Sequence, residues 1–351
     1  MNFSSLFDNY FNLIQRLIPK PSQPPVIGID IGTKAIKAVE ISSQGADPEI
    51  RLWAIEHIEG GNVKAALAKL LARLQFSNQI AVTSVFGKGT LIRYIDMPRM
   101  PLEDLKKSFV YDLDKYFPFD PHSIYTDCFI LDSKKKDKRM PVLVSAVKKE
   151  IVDERIKLFK EAGVELSHIT TNSIATANAF ERLGPPTAQN NHAKAILDIG
   201  GSVSNLLILE DRSPRFTRDI FIGSQEMTKQ IANTLGIDPS KAEELKRSPG
   251  ERLNEIVNAC DAPVSNLVAE IRLSLDYFIT EKNIQVDEFF LVGGGSLLKG
   301  IQAIFEKNLG MPVKIWDPLT GARLSPSVSS SGIQAFSSQL GVAIGLGLSK
   351  V

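Results

Sequence analysis

Apolar positions along the chain change their period several times, and those changes mark out the elements. Over residues 2–20, Phe3, Leu6, Phe7, Tyr10, Phe11, Ile14, Leu17 and Ile18 recur at helical spacing and form one broad apolar face. Pro19 and Pro21 end this helix, and 19–25 reads as a short stiff linker. Such a helix docks on its own domain, or it lies on a membrane surface or a partner. Arg16 and Lys20 alone supply positive side chains, so membrane electrostatics would be weak.

The pattern becomes strand–turn–strand over 26–41, strand over 49–58, helix over 62–74 and hairpin over 79–96, with Gly87-Lys88-Gly89 at the hairpin turn. A helix starts near Pro101, where a missing N–H costs nothing, and ends before Pro118. Strands over 123–131 and 141–147 flank a loop holding Lys134, Lys135, Lys136, Lys138 and Arg139, which reads as a solvated tip or an anion-binding loop. Helices over 149–162 and 170–182 lead to a polar loop over 184–192, which serves as a domain boundary.

The strand–turn–strand theme recurs over 193–209, and this echo of 26–41 is the main internal similarity. Helices are expected over 224–235, 239–246, 249–258 and 262–281. An apolar strand over 287–292 ends in a glycine triplet, with a helix over 296–309 behind it. A Ser-rich loop over 317–340 and an Ala/Gly-rich helix over 339–348 close the pattern; the glycines of that last helix allow close packing.

Composition narrows the class without naming a function. The chain has 351 residues, 43% hydrophobic and 23% charged, which is ordinary for a globular protein of two or three units. A net charge of +1 gives no reason to expect a nucleic-acid partner. Cys128 and Cys260 are far apart, so a disulfide framework is not expected, and the four histidines show no zinc spacing. With no apolar run of about 18–20 residues and no basic leader ahead of an apolar block, the chain is expected in the cytoplasm.

Three glycine turns carry the chemistry: Gly28-Ile29-Asp30-Ile31-Gly32-Thr33-Lys34, Leu197-Asp198-Ile199-Gly200-Gly201-Ser202 and Val292-Gly293-Gly294-Gly295-Ser296. Each follows an apolar strand. A tight glycine turn points several backbone N–H groups one way, a nest for phosphate oxygens. Asp30 and Asp198 stand where a carboxylate could hold hydrated Mg2+, which prefers oxygen and keeps most of its water. The third turn is expected to open a helix, whose N-terminus favours negative charge. Singly each turn also reads as a plain hairpin or loop. In this order, two like hairpins a domain apart and then strand–Gly-Gly-Gly, they describe a two-lobed nucleotide clamp. A Walker P-loop and a full dinucleotide fingerprint are both lacking.

The three turns resemble the phosphate-one, phosphate-two and adenosine motifs of the actin-like ATPases, and the chain as a whole resembles the PilM family of type IV pilus assembly proteins, relatives of FtsA. The family likeness extends to Met97-Pro98-Arg99-Met100-Pro101, Lys115-Tyr116-Phe117-Pro118-Phe119, Val144-Ser145-Ala146-Val147-Lys148 and Phe216-Thr217-Arg218-Asp219-Ile220. The resemblance implies an α/β fold of two lobes, a duplicated ribonuclease H-like core, with a small inserted α+β subdomain. It implies one lobe base from 26–92, 168–186 and 333–351, and the insertion from 93–167. The second base would take 193–225 and 283–332, with a helical cap over 226–282; residues 1–25 stand apart.

It also implies ATP and Mg2+ as ligands. Asp30, Gly32, Thr33, Lys34 and Lys37 would serve the first turn, and Gly200, Gly201 and Ser202 the second. Gly293, Gly294, Gly295 and Ser296 would serve the third. Glu243 and Lys246 would meet ribose and adenine, the alternative for that pair being a solvated i,i+3 bridge. Asp198 and Asn172 would be the catalytic positions, with Asn172 orienting water; an amide orients water but cannot take its proton, so turnover is expected to be weak or absent. The resemblance further implies a partner, the N-terminal cytoplasmic peptide of the membrane protein PilN, held in a groove by the insertion. PilN and its companion PilO would tie the protein to the inner membrane, with the pilus motor ATPases and self-association as further contacts. An FtsA-like division role and a small-molecule kinase of the same fold are the alternatives; the chain stops right after the family's closing helix, which counts against the first.

Overall fold

The computed structural model describes residues 25–42, 47–75, 80–131, 138–186 and 193–349. The expected N-terminal helix over 2–20 and most of the lysine-rich loop lie outside them.

In chain order the first strands are β1 (Val26–Ile31), β2 (Ala35–Ser42), β3 (Glu49–His57) and β4 (Ile80–Val85). Next come β5 (Thr90–Pro98), β6 (Ile124–Ile130), β7 (Arg139–Lys148) and β8 (Leu166–Thr171). The rest are β9 (Ala193–Ile199), β10 (Ser204–Glu210), β11 (Ser213–Ile220), β12 (Val286–Val292), β13 (Val313–Ile315) and β14 (Arg323–Leu324). They form three sheets, ordered β14-β3-β2-β1-β4-β8, β11-β10-β9-β12-β13 and β5-β7-β6. In each of the two larger sheets an antiparallel hairpin continues into parallel strands through helical crossovers. β1 and β9 hold equivalent central places, so the internal echo seen in the sequence is an echo of architecture.

β1 reads as a nearly continuous apolar run because both its faces are covered. One cover is the helix Gly341–Gly347, which lies between β1 and the helix Asn172–Leu183. Glycines on the helix and on β1 set these distances: a Cβ on Gly345 would stand 1.7 Å from the Ala175 carbonyl oxygen, and one on Gly28 of β1 would stand 2.1 Å from that of Ala343. Only residues without a side chain allow backbones this close.

Beside the unexpected strands β8 and β11, and an expected helix over 101–117 that breaks into Leu102–Val110 and Leu113–Tyr116, three differences from the sequence pattern have a clear physical reason. β4 and β5 do not form a hairpin: β4 pairs with β1 and β8, and β5 pairs with β7. The Gly87–Gly89 turn, with φ of 84° and 91° at its glycines, instead carries the chain out of one sheet into another. Alternation marks a strand but not its partner. The helices expected over 249–258 and 262–281 are one 30-residue helix, Leu253–Lys282, with Pro263 buried inside it. A proline there costs about 3 kcal/mol, yet the stripe Ile256, Cys260, Val264, Leu267, Ile271, Leu275 and Phe278 packs into one core across it. The segment behind the glycine triplet is a 3-10 turn, Gly294–Leu297, separated at Gly300 (φ 84°) from the helix Ile301–Leu309. The third turn therefore offers backbone at close range, not the end of a long helix.

Candidate functional site

The turn after β1 closes by Gly32 N–H donating to the Ala35 carbonyl, and the turn after β9 by Gly200 N–H donating to the Val203 carbonyl, both at 3.1 Å. The two turns come from different sheets but meet. A Cβ on Gly201 would stand 2.3 Å from Thr33 Oγ1 and 3.3 Å from Lys34 Cγ. The third turn lies beneath them, since a Cβ on Gly293 would fall 2.0 Å from Asp198 Oδ1. A cavity of about 910 Å³ opens between these loops, a size suited to a nucleotide.

Asp30, Gly32, Thr33, Lys34, Lys37, Asn172, Asp198, Gly200, Gly201, Ser202, Glu243, Lys246, Gly293, Gly294 and Gly295 all line it. Ser296 does not: it is fully buried, and its hydroxyl donates to the Gly293 carbonyl at 2.7 Å, fixing the turn from behind. The sequence pattern also passed over Thr228, His57, Phe336, Ser338 and Gln339, which line the same space. Thr228 lies on the buried face of the helix Ser224–Leu235, a polar residue among apolar ones, and that was the available signal. The last three fall in a serine-rich stretch with no local pattern.

Charge is concentrated at the centre. Lys37 Nζ bonds Asp30 Oδ2 at 2.8 Å across the β1–β2 pair. Burial alone would lower the Lys37 pKa, but the Asp30 charge and hydrogen bond, with help from Asp198, outweigh it and raise it. Among the described residues Asp198 has no such direct partner. Burial pushes its carboxyl up to about 6; Lys37 pulls it down and Asp30 pushes it further up. Asp30 Oδ1 and Asn172 Oδ1 are both buried without a hydrogen-bond partner among the described residues. Orphaned buried acceptors are costly and call for a ligand or an ion.

These features fit a hydrated divalent cation. Two buried carboxylates and an unpartnered oxygen form a hard donor set, and no cluster of three or more His, Cys, Asp or Glu competes among the described residues. Magnesium bound by one or two carboxylates, water and phosphate oxygens needs no more from the protein.

At the far end of the cavity, Lys246 donates to Glu243 Oε2 (2.6 Å), Thr228 Oγ1 (2.7 Å) and the Ser224 carbonyl (3.2 Å). This is a built network, not a solvated bridge. Burial lowers the Lys246 pKa more than Glu243 restores it. Burial also raises the less enclosed Glu243, but donors Lys246 and Thr228 and the charges of Lys246 and Arg247 outweigh it and leave its pKa lowered. Exposed Leu297 and half-exposed Phe336 supply apolar surface along the same cavity.

Two sheets with equivalent hairpins, facing turns and a charged cleft between them define a two-lobed clamp of the actin-like fold. The model of the type IV pilus assembly protein PilM family matches residues 28–351, and the chain belongs to that family. The solved PilM-PilN type IV pilus biogenesis complex superposes with a TM-score of 0.82 at 24% identity, covering 93% of this chain and 98% of that one. MreB5 of Spiroplasma citri, solved bound to ADP, superposes at 0.50 with 15% identity over 93% and 95% of the two chains. Among curated relatives, the cell division protein FtsA of Helicobacter pylori is 25% identical over 215 residues, 52% of this chain and 42% of FtsA. The chain spans about half the length, or less, of the curated relatives it matches. No helix among the described residues is long and apolar enough to cross a membrane.

Proposed function

We propose that this chain is an ATP-binding clamp of a pilus assembly complex, in which nucleotide occupancy sets the lobe angle and a partner peptide reads it. The observation that carries this is the meeting of three glycine turns and two buried carboxylates around one cavity. Gly32–Lys34 and Gly200–Ser202 would cradle the phosphates, with Lys37 as counter-charge. Asp30 and Asp198 would hold Mg2+ through water, the metal supplying charge neutralisation at the phosphates. Glu243 and Lys246 would meet the ribose, and Phe336 and Leu297 the base. Asn172, buried with a free amide oxygen, can orient a water but not deprotonate it, so turnover is slow or absent. The ADP-bound MreB5 relative of the same fold supports the nucleotide reading.

The partner would be the N-terminal peptide of a PilN-type membrane protein, a reading supported by the PilM relative solved as a complex with PilN. A groove of about 620 Å³ between β6–β7 and the helix Asn172–Leu183 supports it further; Tyr125, Phe129, Leu143, Ile174 and Ala177 are among its lining. β6 is the outer strand of its sheet, so its free edge can take an extended peptide while Phe129, 62% exposed, offers an apolar contact. Through PilN and PilO the protein would stand at the cytoplasmic face of the inner membrane, in reach of the pilus motors.

Thermal unfolding monitored with ATP, ADP, Mg2+ and each pair tests the nucleotide half. A melting temperature that climbs with ATP and Mg2+ together is expected from linkage; an unchanged one at millimolar ligand contradicts it. Anisotropy of a labelled PilN peptide tests the other half, against a scrambled peptide that must bind worse.

A further inference from the structure

Asp219 is a part-buried carboxylate that the nucleotide reading does not use. Its Oδ2 accepts from the Gly87 backbone N–H at 2.7 Å, and its Oδ1 accepts from Asn205 Nδ2 at 2.6 Å. The first bond spans 132 residues and joins different bodies: Asp219 is on β11, the outer strand of the second large sheet, while Gly87 starts the turn that leaves the first sheet for the insertion. The second bond leads back to the nucleotide cavity. Asn205 pairs across the strands with Asp198 on one side and Asp219 on the other. Asp198, Asn205 and Asp219 thus form one cross-strand row on a single face of the sheet.

The surroundings leave room for this row to move. A second cavity of about 330 Å³ adjoins Asp219, Gly87 and Asn205, and Asn172 and Asn205 line both it and the nucleotide cavity. Thr90 Oγ1, on the same second cavity, is buried without a hydrogen-bond partner among the described residues. Nearby, Lys88 Nζ stands 5.9 Å from the Phe221 ring centre, and β5 lies against β11. Burial raises the Asp219 carboxyl pKa, against the lowering effect of its hydrogen bonds from Gly87 and Asn205.

We propose that Asp219 is a positioning residue that couples the nucleotide cavity to the inserted subdomain: the Asp198–Asn205–Asp219 row ties cation occupancy at Asp198 to the Gly87 turn that leads into the insertion. The proposal rests on the nucleotide reading above. A cation at Asp198 re-aims Asn205, Asn205 shifts Asp219, and the Gly87 turn follows because its N–H donates to the Asp219 carboxylate. The groove beside β6 has the same insertion as one wall, so the row gives nucleotide a physical route to the peptide site.

Amide exchange on the full chain tests this, with wild type, Asp219→Ala and Asp219→Asn each measured with and without ATP and Mg2+. In ligand-free protein, exchange at Gly87 should rise about tenfold in Asp219→Ala and less in Asp219→Asn, which keeps an acceptor for the N–H. ATP and Mg2+ should change exchange across 88–98 in wild type. In Asp219→Ala that change should vanish while ATP affinity stays within about threefold, a separation a merely structural role would not give. An unchanged Gly87 rate, a nucleotide-driven change that survives in Asp219→Ala, or a wild type that binds ATP with no change at 88–98 overturns the coupling. Failure of wild type to bind ATP overturns the nucleotide reading and the coupling with it, and the ligand-free rates then decide separately whether the Asp219–Gly87 tie exists. If Asp219→Ala does not fold, Asp219→Asn carries the comparison.

Discussion

Asp198 is held where its own charge is unfavourable. Its pKa of about 6 exceeds the ordinary 3.8, so the native state binds a proton more tightly than the unfolded chain. The stability this gives is fully present below about pH 4 and is lost as pH rises through about 6. Two pKa units correspond to roughly 3 kcal/mol at most. Asp198→Asn should therefore gain on wild type as pH rises from 4 to 7, read as a widening difference in urea midpoint, while weakening binding of ATP with Mg2+. Lys246 poses the converse case. Removing Glu243 leaves its ammonium buried beside Thr228, so Glu243→Ala should cost about 1–3 kcal/mol in chemical denaturation. Both carboxylates were legible in the sequence because a turn's chemistry is local: Asp30 and Asp198 stand next to the glycines they serve. Thr228 and Ser338 were not, since only the fold brings the helix Ser224–Leu235 and the stretch before Gly341 to the same cavity.

Elements were legible wherever one period governed them. β1, β2, β9 and β10 lie where the strand–turn–strand pattern puts them, and the helix Val63–Leu74 lies where its helical spacing does. Legibility failed where a long-range contact decided the outcome. Pro263 ends a helix by local rule but sits within Leu253–Lys282 because the stripe on both sides of it fills one core. β5 follows β4 closely but pairs with β7, a partner some 40 residues further on. The closing helix Gly341–Gly347 shows the reverse, a local composition whose purpose is tertiary. Gly345→Ala places a methyl against the immovable Ala175 carbonyl; it should destabilise by about 1–3 kcal/mol or more, seen as a lower urea midpoint. Gly310→Ala, with open space around it but a φ of 70°, should cost only about 1 kcal/mol.

At the scale of the molecule, the duplicated hairpins make sense only together. Neither turn encloses a ligand alone, and their contact at Gly201 and Thr33 is what makes a cleft from two open edges. The order of the glycine turns in the sequence announced that cleft, and the family motifs announced the insertion. The sequence was silent on how the insertion is tied back to the second lobe through Asp219 and Gly87, because 132 residues separate the partners. If nucleotide bridges the lobes, the most direct measurement is calorimetric titration of the full chain with ATP in the presence of Mg2+, beside an Asp30→Ala/Asp198→Ala variant. The clamp predicts binding in the micromolar range that falls at least tenfold in the variant, a loss of about 1.4 kcal/mol or more. Absence of heat in the native protein, or equal binding by both, would contradict the clamp and leave the peptide groove as the site that defines the protein.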